Sequence, residues 1–263
     1  STDAGAVAFV DEADGGDQPA FVAFLGDWAA GFHGDAACVA MVLERFTTSP
    51  DRTLLVRGDR EWCLHADEAD RVDGTAPPIG LAHMPVPDAH VSTHEELVSR
   101  VRRIAARLPA AVLLPDGVVL AHGALPRPSR LHEVAQPDPD ALSDAALRDF
   151  TLGRLHPRDA VVQSASREGG VIEGVDDFHA SRRLLSAMLG APVQRLVRGQ
   201  DAAPEGFRWF RAYGEGRVLT LTTMSDRLPA AAGGGRRKPC VGRLKGGRIR
   251  VARIELPDEI TYL

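Results

Sequence analysis

Three short apolar runs constrain this chain more than any other feature. Phe21 to Leu25 (FVAFL), Thr53 to Val56 (TLLV) and Val118 to Ala121 (VVLA) are almost continuously hydrophobic, without polar alternation. Strands of that kind are buried on both faces, which happens where helices cover a sheet. Helical patterns lie between them. Ala36 to Phe46 carries Val39, Val42, Leu43 and Phe46 at helical spacing. Leu97, Val98, Val101, Ile104, Ala105 and Leu108 make one apolar stripe behind a Thr93–Glu96 capping box. Asp176 to Met188 reads as a third helix, closed by Gly190 and Pro192. Strands alternating with helices predict an α/β fold.

The last third differs. Val193 to Val197, Phe207 to Tyr213, Val218 to Thr222 and Arg248 to Leu256 read as strands broken by glycine turns, predicting a mostly antiparallel set. Segments 66–92 and 126–144 read as surface excursions, and no composition break divides the chain, so residues 1–263 are expected to form a single domain. With 44% hydrophobic and 25% charged residues the chain is globular, not disordered. No uncharged apolar run approaches the ~18 residues of a membrane span, so no membrane partner is expected. The odd, scattered cysteines Cys38, Cys63 and Cys240 fit a reducing compartment, so a soluble cytoplasmic protein is expected.

Charge is unevenly placed. The net charge is −5, and no Lys or Arg precedes Arg45. Arg236, Arg237, Lys238, Arg243, Lys245, Arg248, Arg250 and Arg253 form a basic stretch with no acid among them. Such a run reads as one solvated side of a hairpin facing the acidic N-terminal part. Nucleic-acid binding through it is a further class that the net charge disfavours.

Each of the three apolar runs ends in a polar residue beside glycine: Gly26-Asp27, Gly58-Asp59-Arg60-Glu61 and His122-Gly123. Open α/β sheets gather functional groups at such strand ends. Glycine permits a sharp turn and close approach of an ion. Two carboxylates and an imidazole suit a divalent metal.

The order of these motifs resembles the phosphoprotein phosphatase (PPP) family of the calcineurin-like metallophosphoesterases. Residues 21–62 resemble that family's strand, GDxxDRG motif, helix and LLRGNHE motif, with Asp27 and Asp59 32 positions apart. VVLAHGALP resembles the strand leading to HGG, and LVRGQDAAPEGFRWF the strand bearing RAHQ. Arg167-Glu168-Gly169-Gly170 is similar to the family's next DRG turn. The resemblance implies a central β-sandwich of two mixed sheets flanked by helices, with the first strand and its GDxH motif missing, either lost or lying upstream of Ser1. It implies metal ligands at Asp27, Asp59 and His122, and phosphate-binding groups at Arg57, Arg60 and Arg167. It also implies losses. Arg60 replaces the family's proton-donating histidine, Ala30 and Gly31 replace an Asp and a phosphate-binding Arg, and Gly199 takes the place of a ligand histidine. An arginine does not give up a proton, and losing the general acid alone costs on the order of 10²–10⁴-fold.

Two functional readings follow. The first is a catalytically degenerate phosphatase-like domain, without a cofactor, acting as a regulatory or scaffold module toward a protein partner, with a phosphoprotein as one such partner. The second is a residual phosphoesterase holding one Mn, Fe or Zn ion on Asp27, Asp59 and His122. The remaining candidates have plainer readings. His83, His90 and His94 read as loop and cap residues, Trp28, Trp62 and Trp209 as packing, and Cys38 as a small core residue.

Overall fold

The computed structural model describes residues 8–11, 21–28, 35–61, 94–131, 144–156, 172–201, 203–223, 238–245 and 247–255. In chain order the elements are β1 (Ala8–Asp11), β2 (Val22–Phe24), α1 (Asp35–Thr48), β3 (Thr53–Leu55), α2 (His94–Ala105), β4 (Ala111–Leu113) and β5 (Val118–Ala121). Then come α3 (Pro128–Leu131), α4 (Asp144–Leu152), β6 (Arg154–Leu155), β7 (Ile172–Glu173), α5 (Val175–Leu189) and β8 (Arg195–Arg198). The last four strands are β9 (Phe207–Trp209), β10 (Val218–Leu221), β11 (Cys240–Lys245) and β12 (Arg248–Arg253).

Two five-stranded mixed sheets form the centre, ordered β12-β11-β1-β2-β3 and β4-β5-β8-β10-β9. Strand periodicity sorts their side chains into three apolar layers. Ala23, Leu25, Leu120, Val197, Leu219 and Leu244 pack between the sheets. Phe24 and Leu55 face outward against Val39 and Val42 of α1 and Val101 of α2. On the other side Val119, Ala121 and Leu196 meet Phe150 of α4 and Phe178 and Leu185 of α5. Both faces of β2, β3 and β5 are therefore covered, which is why their sequences run hydrophobic without interruption. Each fully buried Leu or Phe contributes about 2 kcal/mol.

The expected β-α-β unit is present: β2 and β3 pair in parallel, Val22 opposite Thr53 and Phe24 opposite Leu55, with α1 between them. α5 ends at Gly190 in the left-handed conformation, φ 60°, as the Gly-Pro signal predicts. Thr93 of the expected capping box lies outside the described residues, and Glu96 accepts a hydrogen bond from Arg100 at 2.6 Å.

Two expectations need correction. The last third is not mostly antiparallel: β8 pairs in parallel with both β5 and β10, and β11 in parallel with β1. Strand pairing is set by the whole sheet, and these strands find partners far away in sequence. Strand β9 is also shorter than Phe207 to Tyr213, because Arg211–Tyr213 turn as a 3-10 helix. A first strand does occupy the slot between β11 and β2. β1 reads AFVD, lacks the family motif, and runs antiparallel to β2. Of the basic stretch, Cys240–Lys245 and Arg248–Arg253 form the expected hairpin, antiparallel with Arg243 opposite Arg250 and Lys245 opposite Arg248, while Arg236 and Arg237 lie outside the described residues.

Candidate metal centre

Two parallel strand pairs, β2 with β3 in one sheet and β5 with β8 in the other, bring their carboxyl ends to one place. The chain leaves β2 through Leu25 and Gly26 to Asp27, and leaves β3 through Val56, Arg57 and Gly58 to Asp59. β5 delivers His122 and β8 delivers Gly199 and Gln200. The two Gly-Asp turns touch. A Cβ on Gly26 would lie 2.5 Å from the Gly58 Cα and 2.8 Å from the His122 Nδ1, and a Cβ on Gly58 would lie 2.3 Å from the Asp27 amide nitrogen. Gly26 has φ 91°, and Asp27 is itself left-handed at φ 58°, the sole non-glycine residue so disposed among the described residues. A left-handed turn costs a non-glycine residue about 1–2 kcal/mol. Glu61 offsets part of that. Its fully buried carboxylate oxygen Oε2 accepts the amide protons of Asp27 and Gly58, both at 2.8 Å.

The donor atoms of Asp27, Asp59 and His122 all lie within 4.8 Å of one another. His122 is 2% exposed, and its Nδ1–H donates to the Leu25 carbonyl at 2.7 Å. A carbonyl only accepts, so this bond fixes the tautomer and turns Nε2 toward the carboxylates. Nε2 stands 3.3 Å from Asp27 Oδ2, close enough to pair with it when the ring is protonated although the contact is not a well-formed hydrogen bond. Asp59 Oδ1 and Gln200 Oε1 are likewise buried without a hydrogen-bond partner. Buried polar atoms are normally satisfied. Two of these atoms, His122 Nε2 and Asp59 Oδ1, belong to the converging donor set, and an imidazole held by a carbonyl from behind fits a divalent cation.

Electrostatics follow from that crowding. Burial opposes charge on Asp27, but His122 and then Asp59 and the Arg60 amide outweigh it and hold its carboxyl well below the usual carboxylate range. Burial and the neighbouring Asp27 push Asp59 well above that range, against His122 and Arg60. For His122, burial works against the imidazolium, but Asp27 and then Asp59 raise it to about 9. Packed this closely, Asp27 is held in its charged form, while Asp59 and His122 both keep their protons more tightly than they would in water.

The remaining site expectations fall as follows. Arg60 lies with Nε 3.7 Å from Asp59 Oδ1, its side chain 33% exposed, and its amide donates to Asp27 Oδ1 at 3.2 Å. Arg57 is buried and commits Nη2 to the carbonyls of Ala106 and Leu108, both at 2.9 Å, tying β3 to the end of α2. This arginine, offered to a phosphate by its place in the motif, holds a helix end. Ala30, Gly31, Arg167, Trp62 and Cys63 lie outside the described residues. Gly199 does stand at the site, where its Cβ would meet the Leu25 carbonyl at 3.1 Å and His122 Nδ1 at 3.2 Å. The next residue also reaches the site: Gln200 Nε2 lies 3.5 Å from Asp59 Oδ2. Sequence reasoning missed Gln200 and Glu61. Gln200 was detectable as the polar residue directly beyond a buried strand, by the same signal that marks Asp27 and His122.

No family model matches the chain, and no curated protein matches it in sequence. Among solved structures it is similar to a protein serine/threonine phosphatase from Saccharomyces cerevisiae, itself described as similar to human phosphatase PP5. The match has a TM-score of 0.50 at 16% identity and covers 90% of this chain and 71% of that one. The fold is phosphatase-like. At that identity the likeness speaks for the architecture, two mixed sheets between helices, and the chemistry must be argued from the cluster itself.

Proposed function

We propose that this chain is a PPP-like domain that holds one divalent cation between Asp27, Asp59 and His122 and binds phosphate-bearing protein there with little or no hydrolysis. The convergence of those three donors within 4.8 Å carries the proposal. Their charges argue for one ion. Two carboxylates and a neutral imidazole neutralise a single divalent cation, whereas a second would leave two uncompensated charges in a largely buried site. A bound ion supplies Lewis acidity toward a phosphoryl oxygen. Asp27 and Asp59 would hold it from one sheet and His122 from the other, with the Leu25 carbonyl fixing the imidazole and Glu61 fixing the backbone turns of Asp27 and Gly58. Arg60, at the rim, suits a phosphate by its planar fork but donates no proton to a leaving oxygen. Without a proton donor or a paired-ion clamp, most of a phosphatase's acceleration is gone.

A protein partner is supported by the likeness to a protein serine/threonine phosphatase. The same reading takes residues 1–263 as one domain working in the cytoplasm. A second reading, a slow metal-dependent phosphoesterase, rests on the same three converging donors. Hydrolysis of p-nitrophenyl phosphate with added Mn²⁺ separates the two. The proposal expects turnover at the level of buffer, and Mn²⁺-dependent turnover above buffer that Asp27→Asn abolishes would sink it in favour of the second.

A further inference from the structure

A separate cavity lies elsewhere. It encloses about 560 Å³, within the range of small-molecule sites, and opens between the two sheets at the amino-terminal end of β8. His122 and Gln200 sit beyond the opposite ends of β5 and β8, so this cavity is separate from the metal centre. Its floor is apolar, made by Trp209, Phe210 and Ile249, with Trp209 half-buried. Its rim is cationic. Arg211 comes from the 3-10 turn after β9, Arg248 and Arg250 from β12, and Arg195 from β8. Arg195 donates to the Gly247 carbonyl, which ties β8 to the hairpin turn. Arg211, Arg248 and Arg250 have no carboxylate or carbonyl partner among the described residues, and the single acid on the rim is Glu215.

Arginines on an edge strand guard against edge-to-edge pairing, which accounts for Arg248 and Arg250 alone. It does not account for a third unpaired guanidinium from the other sheet, nor for a concave aromatic floor beneath all of them. Like charges held around one hollow repel, and a bound anion would relieve that repulsion.

We propose that this cavity binds a nucleotide, with the phosphates on Arg211, Arg248 and Arg250 and the base over Trp209. Guanidinium forks match phosphate oxygens, and an indole face stacks a planar ring. Glu215 is an acceptor for a ring amino group. The inference stands independently of the metal centre.

The test is calorimetric titration of the full chain with ADP in EDTA, beside adenosine and pyrophosphate. ADP is expected to bind at least about tenfold tighter than either, because each supplies only half of the recognition. Arg248→Ala/Arg250→Ala, both exposed and so expected to leave the melting temperature unchanged, should weaken ADP by about tenfold or more. Asp27→Asn should bind ADP as the parent does. Three results would overturn the proposal: no ADP binding by the parent, pyrophosphate binding as tightly as ADP (an anion site without a ring site), or loss in Asp27→Asn with retention in the arginine variant.

Discussion

If Asp27, Asp59 and His122 hold a cation, binding it must expel protons. The neighbouring carboxylates raise His122 to about 9, and burial beside Asp27 raises Asp59 well above the usual carboxylate range. Both must be bare to ligate, so the ion competes with two protons. From pH 6 to pH 8 His122 alone makes the observed Mn²⁺ affinity rise about tenfold per pH unit, roughly a hundredfold in all. Where Asp59 is also protonated the slope doubles, toward about a hundredfold per unit. The rise must flatten above pH 9, once His122 is neutral. Calorimetry in two buffers of different ionisation enthalpy at pH 7 reads the proton count directly, and between one and two per ion are expected. An affinity flat between pH 6 and pH 8, or a proton count of zero, would refute the reasoning, since the ion would then be held by groups other than these.

Three further outcomes are expected. In EDTA the chain should lose stability as pH rises from about 6.5 to 9, because the raised His122 favours folding below its unfolded value and that contribution fades as the imidazole deprotonates. Chemical denaturation at pH 6 and pH 9 measures this, and His122→Asn should flatten the difference. Gly26→Ala should destabilise by about 2–4 kcal/mol in a urea titration, since a left-handed alanine is strained and its Cβ would strike the Gly58 backbone, which cannot swing aside. An unchanged midpoint would show that the two Gly-Asp turns are not locked together. Glu61→Gln should cost about 1–3 kcal/mol, because the same buried oxygen accepts two amide protons as an anion. It should also weaken Mn²⁺ binding by loosening Asp27; stability lost with affinity intact would confine Glu61 to a structural role.

The sequence signalled the parts of the fold that depend on burial and concealed the parts that depend on distant pairing. β2, β3 and β5 were plain because both faces of each are covered, leaving continuous apolar runs. β11 was harder to see. It alternates buried Cys240, Gly242 and Leu244 with exposed Arg243 and Lys245, so its charges hid its periodicity. The parallel pairing of β8 with β5 has no local signature at all, since the partners are far apart in the chain. At the site, the Gly-polar strand endings pointed to Asp27, Asp59 and His122, which converge. Arg57 sits in the same motif but turns to the end of α2, because a buried guanidinium needs acceptors and two helix-end carbonyls supply them. Gln200 went unread because an amide draws less notice than an acid or an imidazole, although the same strand-end rule places it.

Counting ions tests the central claim most directly. Equilibrium dialysis of the full chain against Mn²⁺ at pH 8, followed by elemental analysis, should find one ion per chain in the parent and none in Asp27→Asn/His122→Asn at the same free concentration. Two ions in the parent, or one ion undiminished in the variant, would contradict the account.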